Sequence, residues 1–166
     1  MLIRSATRAD ADAIHRLIAA HVSDGTLLPR SRSEICVNIR DFVVADDHGE
    51  VVGCGALYLY GPHLAEIRSI TVRRDHRHRG AGHALVGALL RRAQRRRITG
   101  VCLFTREPQF FAPFGFTIVN RDRVPEKLYK DCRLCPRRHA CDEIAMAMGN
   151  IAEVAAEMPL VAVGAR

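Results

Sequence analysis

The sequence predicts an α/β fold in a mixed α+β arrangement, with helices flanking one central sheet. Short runs rich in Val, Ile and Thr alternate along the 166 residues with segments in which apolar residues recur at helical spacing. One such run, 66–72, is followed by a basic turn, two closely spaced glycines and a long periodic segment. We therefore expect a single domain with the element order β-α-α-β-β-β-α-β-α-β-β.

The first half of the chain carries five predicted elements. Thr7 and Asp10 occupy the two positions of a capping box before a first helix, and Ser31 is placed to cap a second helix. Gly53 and Gly55 lie inside a strand-like run, where they predict a bulge or a close approach of backbones. The predicted bounds are a strand at 2–6, helices to about 21 and from 31 to 39, and strands at 42–45 and 51–60.

The strand at 66–72 and the helix after it form the centre of the sequence. Between them lies the segment Arg77-x-x-Gly80-x-Gly82. The first turn of a helix leaves backbone N–H groups unpaired, and these groups can bind an anion such as a diphosphate. Glycines leave the anion room to approach the backbone. The segment therefore predicts an anion-binding junction, with an ordinary strand-to-helix turn as the alternative.

The long helix after Gly80 is predicted to end at Gly100. Its polar face and C-terminal end carry an arginine run, comprising Arg91, Arg92, Arg95, Arg96 and Arg97. Cations at this end complement the helix dipole, so we expect a solvated helix end, with a nucleic-acid patch as the less favoured alternative.

The second half continues with a strand parallel to the central one and three further elements. Their predicted bounds are strands at 101–105, 116–119 and 142–148, and a short helix at 107–112. We place the domain at 1–148, including a cysteine loop at 131–142. Residues 149–166 are weakly patterned and form a predicted tail.

Composition restricts the classes of function. The formal net charge is +7, which suits a phosphorylated cofactor and an anionic substrate as well as nucleic acid. Aromatic residues make up 5% of the chain and Trp is absent, so the chain offers few side chains on which the bases of single-stranded nucleic acid could stack. The sequence contains no apolar run long enough to span a membrane and no signal-peptide pattern. We expect a cytoplasmic protein without nucleic-acid or membrane partners, and leave a homodimer open.

The chain has six cysteines, and three of them are closely spaced near its C-terminal end. Cys132, Cys135 and Cys141 combine a C-x-x-C pair with a third thiol, a spacing that suits Zn²⁺. His139 or Cys36 could supply a fourth ligand. A structural zinc and reduced or redox-sensitive thiols are equally favoured.

The central segment resembles the acetyl-CoA signature of the GNAT superfamily, the GCN5-related N-acetyltransferases. Further stretches resemble the amino-acid N-acetyltransferases, the N-acetylglutamate synthases of arginine biosynthesis, in their short form. These stretches are 25–31 (GTLLPRS), 52–57 (VGCGAL), 65–69 (AEIRS), 110–116 (FFAPFGF) and 125–127 (PEK). The resemblance implies the GNAT fold, acetyl-CoA as the acetyl donor and L-glutamate as the acceptor.

The resemblance also implies roles for individual residues. Glu66 matches the acidic residue that serves as the base through a water molecule. His63 is an alternative base. The alternative for Glu66 is a structural ion pair with Arg68. A backbone N–H of the central strand would stabilise the oxyanion. The implied cofactor-binding residues are Ile70, Thr71, Val72, Arg77, His78, Arg79, Gly80, Ala81, Gly82, His83 and Phe111.

Two carboxylates on glutamate require at least two cations in its pocket, and arginine binds carboxylates in a bidentate manner. Arg30 matches the family's carboxylate-binding arginine, and Arg68 and Lys127 are further candidates, ahead of Arg106. Phe111 stands where many members have the tyrosine that protonates the departing thiolate, so the general acid is unassigned.

Two alternatives to glutamate acetylation follow from the same residues. The chain could acetylate another amine, such as glutamine, another amino acid or a protein N-terminus. It could also be a metal-dependent nucleic-acid-binding or regulatory module that uses the cysteine loop and the arginines.

Overall fold

The computed structural model describes residues 1–23, 25–135 and 138–151 and contains one seven-stranded sheet in the order β1-β2-β3-β4-β5-β7-β6. The strands are β1 (Leu2–Ser5), β2 (Phe42–Asp47), β3 (Glu50–Leu59), β4 (Leu64–Val72), β5 (Gly100–Thr105), β6 (Thr117–Ile118) and β7 (Ile144–Gly149). The helices are α1 (Ala11–Ala19), α2 (Arg32–Val37), α3 (Ala81–Arg95), α4 (Pro108–Phe111) and α5 (Pro125–Lys130).

The sheet is mixed, as the sequence predicts. Strands β1 to β4 pair antiparallel with their neighbours, β5 runs parallel to β4, and β7 inserts antiparallel between β5 and β6. Capping at the start of α2 is also confirmed, because the Ser31 hydroxyl accepts a hydrogen bond from the Glu34 N–H at 3.1 Å.

Helices cover both faces of the sheet and divide the core between them. On one face, α3 buries Leu85, Val86 and Leu89 against side chains that include Leu57 and Leu103. On the other face, the helices α1 and α2 pack over β2 and β3, and a smaller cluster of Leu64, Cys102, Val124, Ala147 and Ile151 lies near α5. The prediction that Cys54 and Cys102 are core residues is confirmed, since both are fully buried.

The central strand β4 contains a bulge opposite the predicted glycine pair. The register with β3 shifts between Cys54 and Ala56, and Ser69 adopts a left-handed φ of 56°. A Cβ on Gly55 would overlap Cδ1 of Ile70, so a larger residue opposite the bulge would require the Ile70 side chain to move. The prediction of a bulge with close backbone approach is confirmed.

Strands β4 and β5 pair over only part of their length. Their parallel register runs from Leu64 opposite Gly100 to Glu66 opposite Cys102, although β4 continues to Val72 and β5 to Thr105. Beyond Glu66 the two strands therefore part. Side chains from both faces of the sheet line the space at this gap.

Two sequence predictions need correction. The helix α5 was not predicted, although Pro125 at its first turn and Glu126 beside it are helix-start signals. Arg92 belongs to the arginine run that was expected to be solvated, but its side chain is buried. Its helical position faces the segment before β2, whose carbonyl groups accept its hydrogen bonds.

The remaining boundaries differ by a few residues, and β7 ends at Gly149 with Ile151 still buried. Most of the predicted tail, from 152 onward, lies outside the described residues. Within the described ranges, no helix has the length and apolar content that crossing a membrane requires.

Candidate active site

A cleft of about 720 Å³ occupies the gap between β4 and β5. The N-terminal turn of α3 and the loop before α2 close two of its sides, and α4 and α5 also contribute side chains. The predicted catalytic, cofactor-binding and substrate-binding residues line this cleft, except Arg79, which is exposed. The alternative base His63 is also exposed and lies outside it, as do the predicted metal ligands Cys132, Cys135 and Cys141.

The glycine junction forms one end of the cleft. Gly80 has a left-handed φ of 81° and caps α3, and a Cβ at this position would meet no atom within 4 Å. The N–H of Ala84 donates to the Gly80 carbonyl at 3.0 Å, so the three preceding amides have no partner within the helix. An open space before free helical amides suits an anionic group such as a diphosphate.

Arg77 braces this junction from the side. Its Nε donates to the Val72 carbonyl at 3.3 Å, and its guanidinium lies 3.2 Å from Nε2 of His21. The side chain therefore links the end of β4 to the end of α1. The hydroxyl of Thr71 on the same strand is buried, and among the described residues it has no hydrogen-bond partner.

An aromatic cluster lines the wall next to α3. Phe111 is buried and makes edge-to-face contacts with Phe110 and Phe116 at centroid distances of 4.8 and 6.1 Å. A Cβ on Gly82 would lie 3.1 Å from the ring of Phe110, so a larger residue here would displace that wall. Phe111 thus provides an apolar surface and no exchangeable proton.

Glu66 lies where β4 and β5 part and is 2% exposed. The Tyr60 hydroxyl donates to its Oε2 at 2.7 Å, and Nζ of Lys127 lies 2.7 Å from its Oε1. Burial, followed by the charge of Glu66, raises the pKa of Tyr60, so the phenol stays protonated. Glu66 is therefore held by Lys127 and Tyr60 rather than by Arg68, the partner in the alternative reading.

Lys127 is the side chain that ties α5 to β4. It is 5% exposed and contacts Asp131 at 2.7 Å in addition to Glu66. Burial alone would lower the pKa of Lys127, but the two carboxylates outweigh burial and raise it. Its charge is thus matched by two anions of the protein.

Arg30 and Arg68 are placed differently. The Arg30 side chain is 14% exposed and its Nη1 bonds Glu34 at 2.9 Å, but its buried Nε has no hydrogen-bond partner among the described residues. Arg68 lies 3.8 Å from the centroid of the Tyr58 ring and 3.8 Å from the carboxylate of Asp131. Burial, and then the nearby charge of Arg30, lowers the pKa of Arg68. These two guanidiniums would gain from an anionic ligand.

Arg106 also reaches the cleft but is committed elsewhere. It donates to Asp142 at 2.7 Å and to the Gly25 carbonyl at 2.6 Å, so it fastens the end of β5 to the loop after α1. Its lower rank among the predicted cations agrees with these contacts.

Glu143 is a cleft residue that sequence reasoning missed. It immediately precedes β7, and burial raises its pKa despite the opposing charge of Lys127. The sequence carries no signal for it, because a single acidic residue before a strand is most often an exposed one.

The cysteine loop gives no support for the predicted zinc. Among the described residues, no group of three or more His, Cys, Asp or Glu side chains is arranged to hold a metal ion. Cys141 instead accepts a hydrogen bond from Arg121 at 3.1 Å. The cysteine Cys132 follows Asp131 directly, so the loop adjoins the contacts of Lys127.

Comparison with known sequences gives consistent relatives. A family model described as the acetyltransferase (GNAT) family matches residues 15–116. An uncharacterized N-acetyltransferase of Chlorobaculum tepidum is 40% identical over 144 residues, covering 87% of this chain and 93% of that protein. An amino-acid acetyltransferase of Mycobacterium tuberculosis is 33% identical over 136 residues, covering 80% and 78%.

Two crystal structures share the fold. A Mycobacterium tuberculosis protein in complex with CoA and NLQ superimposes with a TM-score of 0.78 at 26% identity, covering 90% of this chain and 99% of that one. N-acetylglutamate synthase from Neisseria gonorrhoeae, complexed with coenzyme A and N-acetyl-glutamate, gives 0.80 at 25% identity. The matched region covers 89% of this chain and 34% of that synthase.

Proposed function

Since the chain belongs to the acetyltransferase (GNAT) family, we propose that it transfers the acetyl group of acetyl-CoA to the α-amine of L-glutamate. It would then make N-acetylglutamate, the first step of arginine biosynthesis, in the cytoplasm. The amino-acid acetyltransferase of M. tuberculosis and the synthase of N. gonorrhoeae support an amino-acid acceptor.

The observation that carries the proposal is that Arg30 and Arg68, at one end of the cleft, have few hydrogen-bond partners for their guanidinium groups. Arg30 has a buried Nε without a partner among the described residues, and Arg68 is desolvated beside it. A carboxylate can accept two parallel hydrogen bonds from one guanidinium, and it would also neutralise the mutual repulsion of the pair. Two such groups suit the two carboxylates of glutamate.

The donor would occupy the opposite end of the cleft. The free amides at the start of α3 would hold the diphosphate of acetyl-CoA, and the unpaired edge of β4 beyond Glu66 would receive its pantetheine arm. The thioester would then lie in the gap between the strands. A backbone N–H from the segment Ile70 to Val72 would stabilise the oxyanion.

Glu66, which lines the cleft, would act as the base for the amine through a water molecule, as the resemblance to the family implies. The neutral nitrogen attacks the thioester carbonyl and a C–N bond forms. The nitrogen then loses its second proton to solvent, and collapse of the tetrahedral oxyanion breaks the C–S bond. The coenzyme leaves as a thiolate that takes a proton from solvent, which a thiol pKa of about 8.5 permits. Phe111 would pack on the departing arm.

Glutamine is the second candidate acceptor, and the ion pair of Arg30 with Glu34 favours it. Because Nη1 of Arg30 already bonds Glu34 at 2.9 Å, fewer donors are left for a second carboxylate of the ligand. Glutamine carries one carboxylate and would need fewer donors than glutamate.

A thiol-release assay with acetyl-CoA and a panel of amino acids tests the proposal. We expect L-glutamate to give the highest kcat/KM. Replacing Arg30 with Ala should raise the KM for glutamate about 10- to 100-fold, since a charged hydrogen bond contributes about 1.5–3 kcal/mol, and leave the KM for acetyl-CoA unchanged.

Arg32→Ala is the matched control for this change. Arg32 lies at the start of α2, but its guanidinium pairs with Asp12 at the exposed surface. Its replacement should change neither KM. Equal increases of both KM values in Arg30→Ala, or release driven best by an uncharged amino acid, would contradict glutamate as the acceptor.

A further inference from the structure

Glu143 is a cleft-lining carboxylate with spare capacity for hydrogen bonds. Its contact among the described residues is the thiol of Cys141, 4.0 Å from Oε2, and within that part of the chain it forms no ion pair. Glu66 differs, because both of its carboxylate oxygens already have partners.

The cations near Glu143 have partners of their own. Lys127 contacts Glu66 and Asp131, and Arg106 contacts Asp142. Arg121 bonds the main-chain carbonyl of Glu143, not its side chain. The nearby anion, Glu66, is balanced by Lys127. The Glu143 carboxylate is therefore available to a ligand that carries a positive charge.

The strand register puts Glu143 beside the open part of the sheet. Ile144 pairs with Thr105 at the end of β5, beyond the last position at which β5 pairs with β4. Ala147 pairs with Cys102 and packs on the α5 face, and alternation along β7 directs Glu143 to this same face. This is the face of Glu66 and Lys127, from which an acceptor would reach the thioester.

An amino acid arrives with its α-amine protonated, and this ammonium needs an anion in a partly buried site. Glu66 is nearly inaccessible and already neutralised, whereas Glu143 is half-buried, faces the cleft and lacks an ion-pair partner in the described chain. We propose that Glu143 binds the ammonium group of the acceptor and holds it near the gap between β4 and β5. This inference rests on the proposed function for its acceptor class.

Calorimetric titration of the CoA-bound protein with two matched ligands tests the inference. L-glutamate carries the ammonium, and glutarate is the same dicarboxylate without it. For Glu143→Gln we expect glutamate binding to weaken about tenfold, as for loss of one charged hydrogen bond, and glutarate binding to change less than twofold. Glu143→Asp should retain part of the glutamate affinity.

Glu107→Gln is the control, because Glu107 also lines the cleft but is exposed. It should leave both affinities within twofold. Equal weakening of glutamate and glutarate in Glu143→Gln, or no change in either, overturns the role of Glu143. If the wild type acetylates another amine instead of glutamate, the proposed function fails, and the same titration with that amine and its deaminated analogue still decides the role of Glu143.

Discussion

Two regions of the molecule bury arginines, and they use the guanidinium in opposite ways. On α3, Arg92 is 8% exposed and donates from Nη1 to the carbonyls of Arg40, Asp41 and Phe42 at 3.0, 2.9 and 3.3 Å. Its Nη2 donates to the Ser5 hydroxyl at 3.0 Å. Arg92 thus donates its hydrogen bonds to groups of the protein itself.

At the cleft, Arg68 is similarly buried, with 11% of its side chain exposed, but its nearest carboxylate within the described chain stands 3.8 Å away. The neighbouring Arg30 keeps a buried Nε without a partner in that part of the chain. Desolvating a cation costs free energy that hydrogen bonds normally return. Satisfied donors thus indicate a structural arginine, and spare donors indicate a place for a ligand.

The largest effect that separates the two regions is expected at Arg92. Arg92→Met keeps the apolar stem but leaves the carbonyl groups before β2 without their shared donor. We expect a loss of about 3 kcal/mol in the free energy of unfolding, measured by urea denaturation, with unchanged KM values in the protein that remains folded.

Arg95→Met on the same helix is the control, because Arg95 is exposed, and it should shift stability by less than about 0.5 kcal/mol. If Arg92→Met proved as stable as Arg95→Met, the four hydrogen bonds of Arg92 would not be stabilising the fold.

The converse result is expected at Arg68. Arg68→Met should raise the KM for the amino acid about tenfold or more while changing the free energy of unfolding by about 1 kcal/mol at most, because the lost cation–π contact is offset by relief of desolvation. Urea denaturation and initial-rate kinetics on one preparation measure both quantities. A stability loss as large as that of Arg92→Met, with an unchanged KM, would erase the contrast between the regions.

The smallest effect is expected at the donor end of the cleft. Gly80→Ala places a Cβ in the proposed diphosphate space and strains a left-handed φ, so we expect the KM for acetyl-CoA to rise about fivefold, or roughly 1 kcal/mol, without a change for the amino acid. Gly87→Ala, inside α3, is the control and should leave both KM values unchanged. A selective rise in the KM for the amino acid would mean that donor and acceptor ends are exchanged.

Much of the fold follows from local patterns in the sequence. The strands, the glycine-started α3 and the bulge opposite Gly55 were predicted because periodicity and glycine placement act over a few residues. The helix α5 was missed because it is one and a half turns long and has no apolar stripe, so Pro125 was its main signal.

The site was less accessible to such reasoning, because charge partners are set by tertiary contacts. Lys127 was predicted as a cation for substrate, yet its Nζ lies 2.7 Å from Glu66, which is remote in sequence. Its other partner, Asp131, stands four residues later at the C-cap of α5, one turn further along the same side, and could have been anticipated once α5 was recognised. Helical spacing could have separated Arg92 from its exposed neighbours, because it follows Leu85 by seven residues and Leu89 by three on the buried face of α3. Nothing local marks Glu143.

The parting of β4 and β5 has a consequence for how such a protein can change over generations. The amides proposed to bind the donor diphosphate lie at the start of α3, whereas Arg30 and Glu143, proposed for the acceptor, lie before α2 and before β7. After gene duplication, the acceptor-binding residues could change to accept a new amine while the donor-binding residues still bound the same acyl carrier. Such paralogues would differ in the amine that they acetylate but would catalyse the same acyl transfer.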